Sequence, residues 1–242
     1  MENVINELAV FIGHGGGALA HKLMRSKRRI VCGVEWNAYA ASVLMARQNE
    51  GFLEAFPIWD DVRTFDGKPW RGIAQCVSGG FPCKGISTTG PGTGLEHPES
   101  AMLFEQIRII REVEPARVEL ENSPALTRRG LGIVLGELAQ MGFDAELDVF
   151  SAAEAGACHE RERIWVVATH PDRPQCEGGQ LPSGENRNTP TLAAVLGGKI
   201  NPEFAEWMMG WPIGWTALSE LAMGRFQLWL QLHGKPSIHE QG

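Results

Sequence analysis

Short apolar runs alternate with stretches of helical periodicity along most of this chain. Between the runs, apolar residues recur every three or four positions, as Leu103, Ile107 and Ile110 do. This alternation is typical of βαβ units, which form mostly parallel sheets. We therefore predict an α/β fold with a mostly parallel central sheet and helices on both faces. The candidate strands cover residues 7–12, 29–34, 73–77, 116–120, 145–150 and 163–168.

Two helix boundaries are predicted from single residues. Asn37 has the side chain of a helix N-cap and precedes a helical pattern that runs to about Asn49. Gly142 follows the periodic apolar residues of 131–141 and is the expected stop of that helix.

The character of the sequence changes near residue 170. Residues 170–199 are rich in Pro, Gly, Asn and Gln and lack periodicity, which predicts an irregular insert. Helical pattern resumes over 203–209 and Trp211-Pro212 interrupts it. We expect a catalytic and cofactor-binding domain (1–169), a short insert (170–200) and a helical segment returning to that domain (201–242).

Composition limits the function classes. The five cysteines have no C-x-x-C spacing, which argues against zinc and a disulfide framework and favours a reducing cytoplasm. The same spacing leads us to expect no metal. We expect no membrane association, because no apolar run approaches the roughly 20 residues of a membrane span. The net charge of −7 opposes nucleic-acid binding unless basic residues cluster. Basic residues do cluster at 25–29 and 128–129. Each cluster is as typical of a solvated helix end as of a nucleic-acid contact.

A glycine-rich turn follows the first predicted strand and opens a helix. Gly13-x-Gly15-x-x-Ala18 matches the dinucleotide-binding pattern, in which glycines let a ligand approach the backbone. Glu35 ends the next strand, where an acid binds ribose hydroxyls. Trp36 beside it is either a core residue or a platform for adenine, and Asp61-Val62 is a candidate for the adenine edge. These features fit nicotinamide enzymes and methyltransferases equally.

A cysteine lies at the apex after the predicted strand 73–77. The turn Ser78-Gly79-Gly80-Phe81-Pro82-Cys83 presents a thiol at the ligand-binding edge of the sheet, as a nucleophile or as a small buried hydrophobe. Glu121 is expected just past the end of another strand. Arg161 and Arg163 are expected on one face of an extended segment, as site residues or as surface ion-pair partners.

The ordered set of these motifs resembles the cytosine-5 DNA methyltransferases. Phe-x-Gly-x-Gly-Gly, Glu-Trp, Asp-Val, Gly-Gly-Phe-Pro-Cys, Glu-Asn-Ser and Arg-x-Arg follow one another in that family's order over about residues 8–169. Residues 201–212 resemble small phage-type and prophage-type members. The resemblance implies a Rossmann-like methyltransferase fold, S-adenosylmethionine as cofactor with S-adenosylhomocysteine as product, and double-stranded DNA as partner. It implies no obligate protein partner, and a location in the cytoplasm of a bacterial or phage-infected cell.

The resemblance also implies roles for individual residues. Cys83 would add to carbon 6 of a flipped-out cytosine, Glu121 would hold the base, and Arg161 and Arg163 would position it. Residues 85–98 would close over the base. The implied cofactor contacts are Phe11, Gly13, His14, Gly15, Gly16, Glu35, Trp36, Asp61, Val62, Pro82 and Leu103. The DNA-binding candidates are Lys84, Ser87, Arg128, Arg173, Arg187 and Asn188, with Arg28 and Arg29 as further basic residues.

The chain departs from the family pattern at several positions. Lys84 stands where Gln or Ser is usual, Ser100 where Arg is common, and His159 at a Gln position. The insert is short, which predicts a recognition site of about two to four base pairs, and no match to the family's C-terminal Gly-Asn motif is found. Alternatives are an RNA cytosine-5 methyltransferase, a non-catalytic DNA- or cofactor-binding relative, and, on the glycine turn alone, a nicotinamide oxidoreductase.

Overall fold

Seven strands form one sheet in the order β3-β2-β1-β4-β5-β7-β6. The computed structural model describes residues 4–24, 27–82, 102–154, 159–173, 206, 211–221 and 223–233. The strands are β1 (Ile5–Val10), β2 (Arg28–Val34), β3 (Ile58–Trp59), β4 (Cys76–Gly79), β5 (Arg117–Asn122), β6 (Asp144–Phe150) and β7 (Arg163–Thr169). The first five are parallel, whereas β7 runs antiparallel to β5 and β6. The predicted mostly parallel sheet is confirmed.

Helices pack on both faces of the sheet. They are α1 (Gly16–Leu23), α2 (Ala38–Asn49), α3 (Met102–Val113), α4 (Leu126–Arg129), α5 (Leu131–Gln140) and α6 (Met223–His233), with a short 3-10 helix at Lys68–Trp70. Strand alternation divides the core in two. Leu8 and Val10 of β1 join the cluster formed with α3 and α5. Ala9 joins the opposite cluster, formed with α1, α2 and α6.

Local signals located both helix ends correctly. The Asn37 side chain accepts hydrogen bonds from the Tyr39 and Ala40 amides and caps α2 as predicted. Gly142 has a φ of 84°, in the left-handed region that a C-terminal stop requires, and it follows the last turn of α5.

Two boundaries that bear on the site differ from the predictions. The strand predicted at 73–77 begins at Cys76, because the amides of Ile73 and Ala74 bond the Trp70 carbonyl in a turn. β5 extends to Asn122, so Glu121 lies inside the strand rather than past it. In the predicted insert and returning helix, residues 174–205 and 207–210 lie outside the described residues, and Glu206 is helical.

A buried network of charged side chains crosses the sheet. Arg28 donates to both carboxylate oxygens of Glu119 at 2.6 and 2.8 Å, and Arg117 donates to the same carboxylate. Glu7, beside them, accepts from Ser78 and contacts His21 at 2.8 Å. Arg28, expected in a basic surface cluster, is therefore committed to the interior.

A late segment of the chain docks on α2. Arg47 is fully buried, and its guanidinium donates to the carbonyls of residues 214, 215, 217 and 219. Glu206 is also buried and accepts from the amides of Gly214 and Thr216. These two charged groups fix residues 211–219 next to the start of α1. Among the described residues, no helix has both the length and the apolar character that crossing a membrane requires.

Candidate cofactor and catalytic site

The predicted site residues lie at one edge of the sheet. The glycine turn follows β1, Glu35 follows β2, and Gly80 follows β4. Glu121 lies near the end of β5, and β7 begins beside it because Asn122 pairs with Ile164. Parallel strands bring their carboxyl ends to a common edge, which is where ligands bind in such sheets.

Glu35 connects this glycine turn to the next strand. Its two carboxylate oxygens accept hydrogen bonds from the amides of Gly13 and Asn37, each at 2.7 Å. Gly15 has a φ of 85°, and a Cβ there would lie 2.8 Å from Leu44 Cδ2. The turn therefore requires glycine for both its backbone conformation and its packing.

His14 lies between the glycine turn and the late segment. Its ring is 6.2 Å from that of Tyr39 and 6.3 Å from that of Trp211, measured between centroids. Burial lowers the pKa of His14, while Glu35 and Glu206 act in the opposite direction. The His14 carbonyl accepts a hydrogen bond from Trp215 Nε1 at 2.9 Å, so the late segment is fastened to the turn itself.

Trp36 is a surface side chain, not a core one. It is 67% exposed, and the Arg63 guanidinium lies 4.8 Å from its ring centroid. The Asp61 carboxylate accepts from Arg63 Nη2 at 2.8 Å. Hydrogen bonds from the Arg63 side chain lower the pKa of Asp61. An exposed aromatic face and an ionised acid are thus held together beside the glycine turn, which suits a nucleoside.

Three other predicted cofactor contacts have restricted geometry. The side chains of Val62 and Leu103 are buried in the core, so only their main chains are available to a ligand. Phe11 has a φ of 56° and packs partly against the same core. Arg108 of α3 donates to the carbonyls of Val62 and Phe65 at 2.8 and 2.9 Å and thereby fixes the loop that carries Asp61.

The Gly-Gly-Phe-Pro turn fits tightly against its neighbours. A Cβ on Gly79 would lie 2.4 Å from the Val10 carbonyl oxygen. The buried Asn122 side chain donates to the Phe81 carbonyl at 3.1 Å. Residues 83–101, which include Cys83, Lys84, Ser87 and the expected closing loop, lie outside the described residues.

Glu121 and Arg163 form an ion pair beside this turn. Arg163 Nε lies 2.7 Å from Glu121 Oε1, and both side chains are about one-third exposed. Arg161 has a φ of 33° and precedes β7. Arg161 therefore lies outside the extended strand that carries Arg163, although both lie next to the same edge.

The DNA-binding candidates fall in different places. Arg128 is exposed on α4, just after the end of β5 at the site edge. Arg173 follows β7 at the opposite edge, where it donates to the Pro115 carbonyl at 2.7 Å and stacks on Phe143. Arg29 is at that opposite edge too, whereas Arg187 and Asn188 lie outside the described residues.

Three residues that hold the site together were not predicted from the sequence. The Arg63–Asp61 pair could have been predicted, because a side chain two positions after Asp61 can reach back to its carboxylate. The contacts of Arg47 and Glu206 could not, since their partners are the backbone of a segment remote in sequence. In the described part of the chain, no cluster of side chains suits a metal ion.

The strand order is that of a Rossmann-like fold. The glycine turn, Glu35 and Trp36 lie together at the carboxyl edge of its sheet, where such folds bind cofactors. A family model, that of the C-5 cytosine-specific DNA methylases, matches residues 7–208. The chain belongs to this family.

Curated relatives agree with that assignment. The chain is 31% identical over 166 residues to Type II methyltransferase M.CviJI of Paramecium bursaria Chlorella virus IL3A, covering 68% of this chain and 43% of that protein. It is 28% identical over 207 residues to M.Eco47II of Escherichia coli, covering 82% and 47%. The chain thus spans less than half the length of these curated relatives.

The fold also matches known methyltransferase structures. Dnmt2 of S. pombe superposes with a TM-score of 0.57 at 18% identity, over 71% of this chain and 53% of that one. DNMT2 of Spodoptera frugiperda gives 0.58 at 16% identity, over 76% and 56%. The fold is therefore that of Rossmann-like methyltransferases.

Proposed function

We propose that this protein transfers a methyl group from S-adenosylmethionine to carbon 5 of cytosine in DNA. The observation that carries the proposal is the position of Glu121, whose carboxylate abuts Gly80 of the turn leading to Cys83 and pairs with Arg163. A base-binding acid and a nucleophile-bearing turn are then adjacent. The family membership supports the same reaction.

The described residues fit the cofactor. The glycine turn held by Glu35 would take the amino-acid and ribose portions, and Trp36 with Asp61 would take the adenine. When bound, S-adenosylmethionine supplies an electrophilic methyl group. Trp211 and Trp215 pack on the turn from the other side and would limit the access of water.

The chain's own residues would prepare the base. Cytosine resists direct methylation at carbon 5, so the Cys83 thiolate would first add to carbon 6 and make carbon 5 nucleophilic. Glu121 would hold the N3 and amino group of the flipped-out base, and Arg163 would orient that carboxylate. After methylation, loss of the carbon-5 proton and elimination of the thiolate restore the aromatic ring and release Cys83.

A labelling experiment tests the proposal. The protein is incubated with labelled S-adenosylmethionine and either unmethylated plasmid or RNA, and 5-methylcytosine is mapped by sequencing. The proposal predicts methylated DNA cytosines within a short sequence context. Label confined to RNA would instead favour the RNA methyltransferase. Binding of S-adenosylhomocysteine and DNA without any transfer would favour the non-catalytic alternative.

A further inference from the structure

Arg63 joins two elements of the nucleoside site. Its Nε and Nη2 atoms donate to Asp61 Oδ1 and Oδ2 at 2.9 and 2.8 Å, and its guanidinium carbon lies 4.8 Å from the Trp36 ring centroid. The planar guanidinium suits this double contact, because its edge forms the paired hydrogen bonds while its face stacks on an aromatic ring.

The backbone around Arg63 is fixed as well. The amide of Arg63 donates to Asp61 Oδ1 at 3.0 Å, and both the amide and hydroxyl of Thr64 bond the Asp61 carbonyl at 3.0 Å. Arg108 anchors the neighbouring carbonyls to α3. These hydrogen bonds hold the Asp61 carboxylate next to the Trp36 ring, although the Arg63 side chain is half exposed.

An ionised carboxylate held in this way selects its ligand by chemistry. It only accepts hydrogen bonds, so it favours a purine whose 6-position donates an N–H and opposes one whose 6-position carries a carbonyl oxygen. The selection is strict only if the carboxylate cannot rotate away from the opposing group. That constraint is what the paired hydrogen bonds of Arg63 supply.

We infer that Arg63 is a positioning residue that makes the cofactor site selective for a 6-aminopurine over a 6-oxopurine, by locking Asp61 against Trp36. The inference rests on the proposed function, because it assumes that the adenine of the cofactor lies at Trp36 and Asp61. It concerns a residue to which the family resemblance gives no role.

The test measures dissociation constants of S-adenosylhomocysteine and its 6-oxo analogue S-inosylhomocysteine by calorimetry. The proteins are the wild type, Arg63→Met, Arg63→Lys, Asp61→Asn and the double variant Asp61→Asn with Arg63→Met. Arg71→Met is the matched control. Arg71 forms a similarly exposed ion pair with Glu114, which lies just beyond the C-terminal end of α3. Loss of exposed pairs of this kind costs little stability, so the variants should fold.

The wild type should prefer the amino ligand roughly 100-fold, the effect of one opposed polar group. Arg63→Met should lower that ratio about tenfold, through the loss of one stacked and paired guanidinium. Arg63→Lys should recover only part of it, because an ammonium lacks the planar fork. Asp61→Asn should bring the ratio close to one, and adding Arg63→Met should then change nothing. Arg71→Met should keep the wild-type ratio.

Two results would overturn the inference while leaving the proposed function intact: equal weakening of both ligands by Arg63→Met, or an undiminished effect of Arg63→Met in the Asp61→Asn background. A wild-type chain that binds neither ligand would overturn the proposed function and this inference with it.

Discussion

The carboxylate of Glu121 lies directly over the α carbon of Gly80. A Cβ added to Gly80 would be 2.5 Å from Glu121 Oε2, closer than real Cβ atoms approach any heavy atom. The second glycine of the Gly-Gly-Phe-Pro turn is therefore needed so that the acid of β5 can reach the strand end that leads to Cys83.

This contact predicts that Gly80→Ala will displace Glu121 and impair methylation. We expect the rate to fall about 100-fold, as small misplacements of catalytic groups do, while S-adenosylhomocysteine still raises the melting temperature. Gly136→Ala is the control, because a Cβ there meets no atom within 4 Å. A Gly80→Ala protein with the control's activity would show that the contact is irrelevant to catalysis.

A second prediction concerns DNA affinity. Arg128 is exposed at the site edge and Arg29 is exposed at the opposite edge. Arg128→Ala should weaken DNA binding and reduce the slope of log affinity against log salt by about one, as expected for one lost phosphate contact. Arg29→Ala should leave the slope unchanged. Equal losses for both variants would mean that DNA does not lie along the site edge.

The buried charge network predicts a dependence of stability on pH. Burial alone would raise the pKa of Glu119, but the hydrogen bonds and charge of Arg28, followed by those of Arg117, lower it from 4.5 to about 2. Because the folded pKa lies below the unfolded value, Glu119 stabilises the fold above pH 4.5. That contribution, about 3 kcal/mol, should be lost as the pH falls from 4.5 towards 2.

Urea denaturation across this pH range measures the effect. Glu119→Gln should lower the free energy of unfolding at pH 7 by about 3–5 kcal/mol, since it leaves buried arginines uncompensated. Its stability should also change less than the wild type's between pH 4.5 and 2. Glu114→Gln, at an exposed ion pair, should follow the wild-type curve. Parallel pH curves for the wild type and Glu119→Gln would contradict the assigned network.

The hydrogen bonds of Arg47 lead us to expect that it holds residues 211–219 against α2. Arg47→Met would remove the hydrogen bonds to the carbonyls of residues 214, 215, 217 and 219 and the ion pair with Glu50, and we expect a loss of about 3–5 kcal/mol. Hydrogen exchange should rise at residues 211–221 more than in the sheet. Arg71→Met, which removes an exposed pair, should do neither. Wild-type protection of 211–221 in Arg47→Met would refute this role.

Features set by neighbouring residues were the predictable ones. The cap at Asn37 and the stop at Gly142 depend on contacts within a few positions, and apolar patterning gave the layered α/β fold. The antiparallel entry of β7 was not predicted, because strand direction depends on pairing with β5.

Charged residues with remote partners were misjudged or missed. Arg28 looked like part of a basic surface because its partner Glu119 is 91 positions away. The role of Arg47 was not predicted, because the carbonyls that it contacts lie 167 to 172 positions further along the chain. Arg161 and Arg163 were expected on one extended segment, but Arg161 has a positive φ and precedes the strand that carries Arg163.

The covalent Cys83 adduct can be detected by trapping it on modified DNA. DNA containing 5-fluorocytosine blocks the last elimination, because carbon 5 then carries fluorine in place of the proton that must leave. We expect the wild-type protein, given S-adenosylmethionine, to form a denaturant-resistant complex with this DNA. Cys83→Ser should form none while still binding S-adenosylhomocysteine. A trapped Cys83→Ser protein, or an active wild type that is never trapped, would contradict the mechanism.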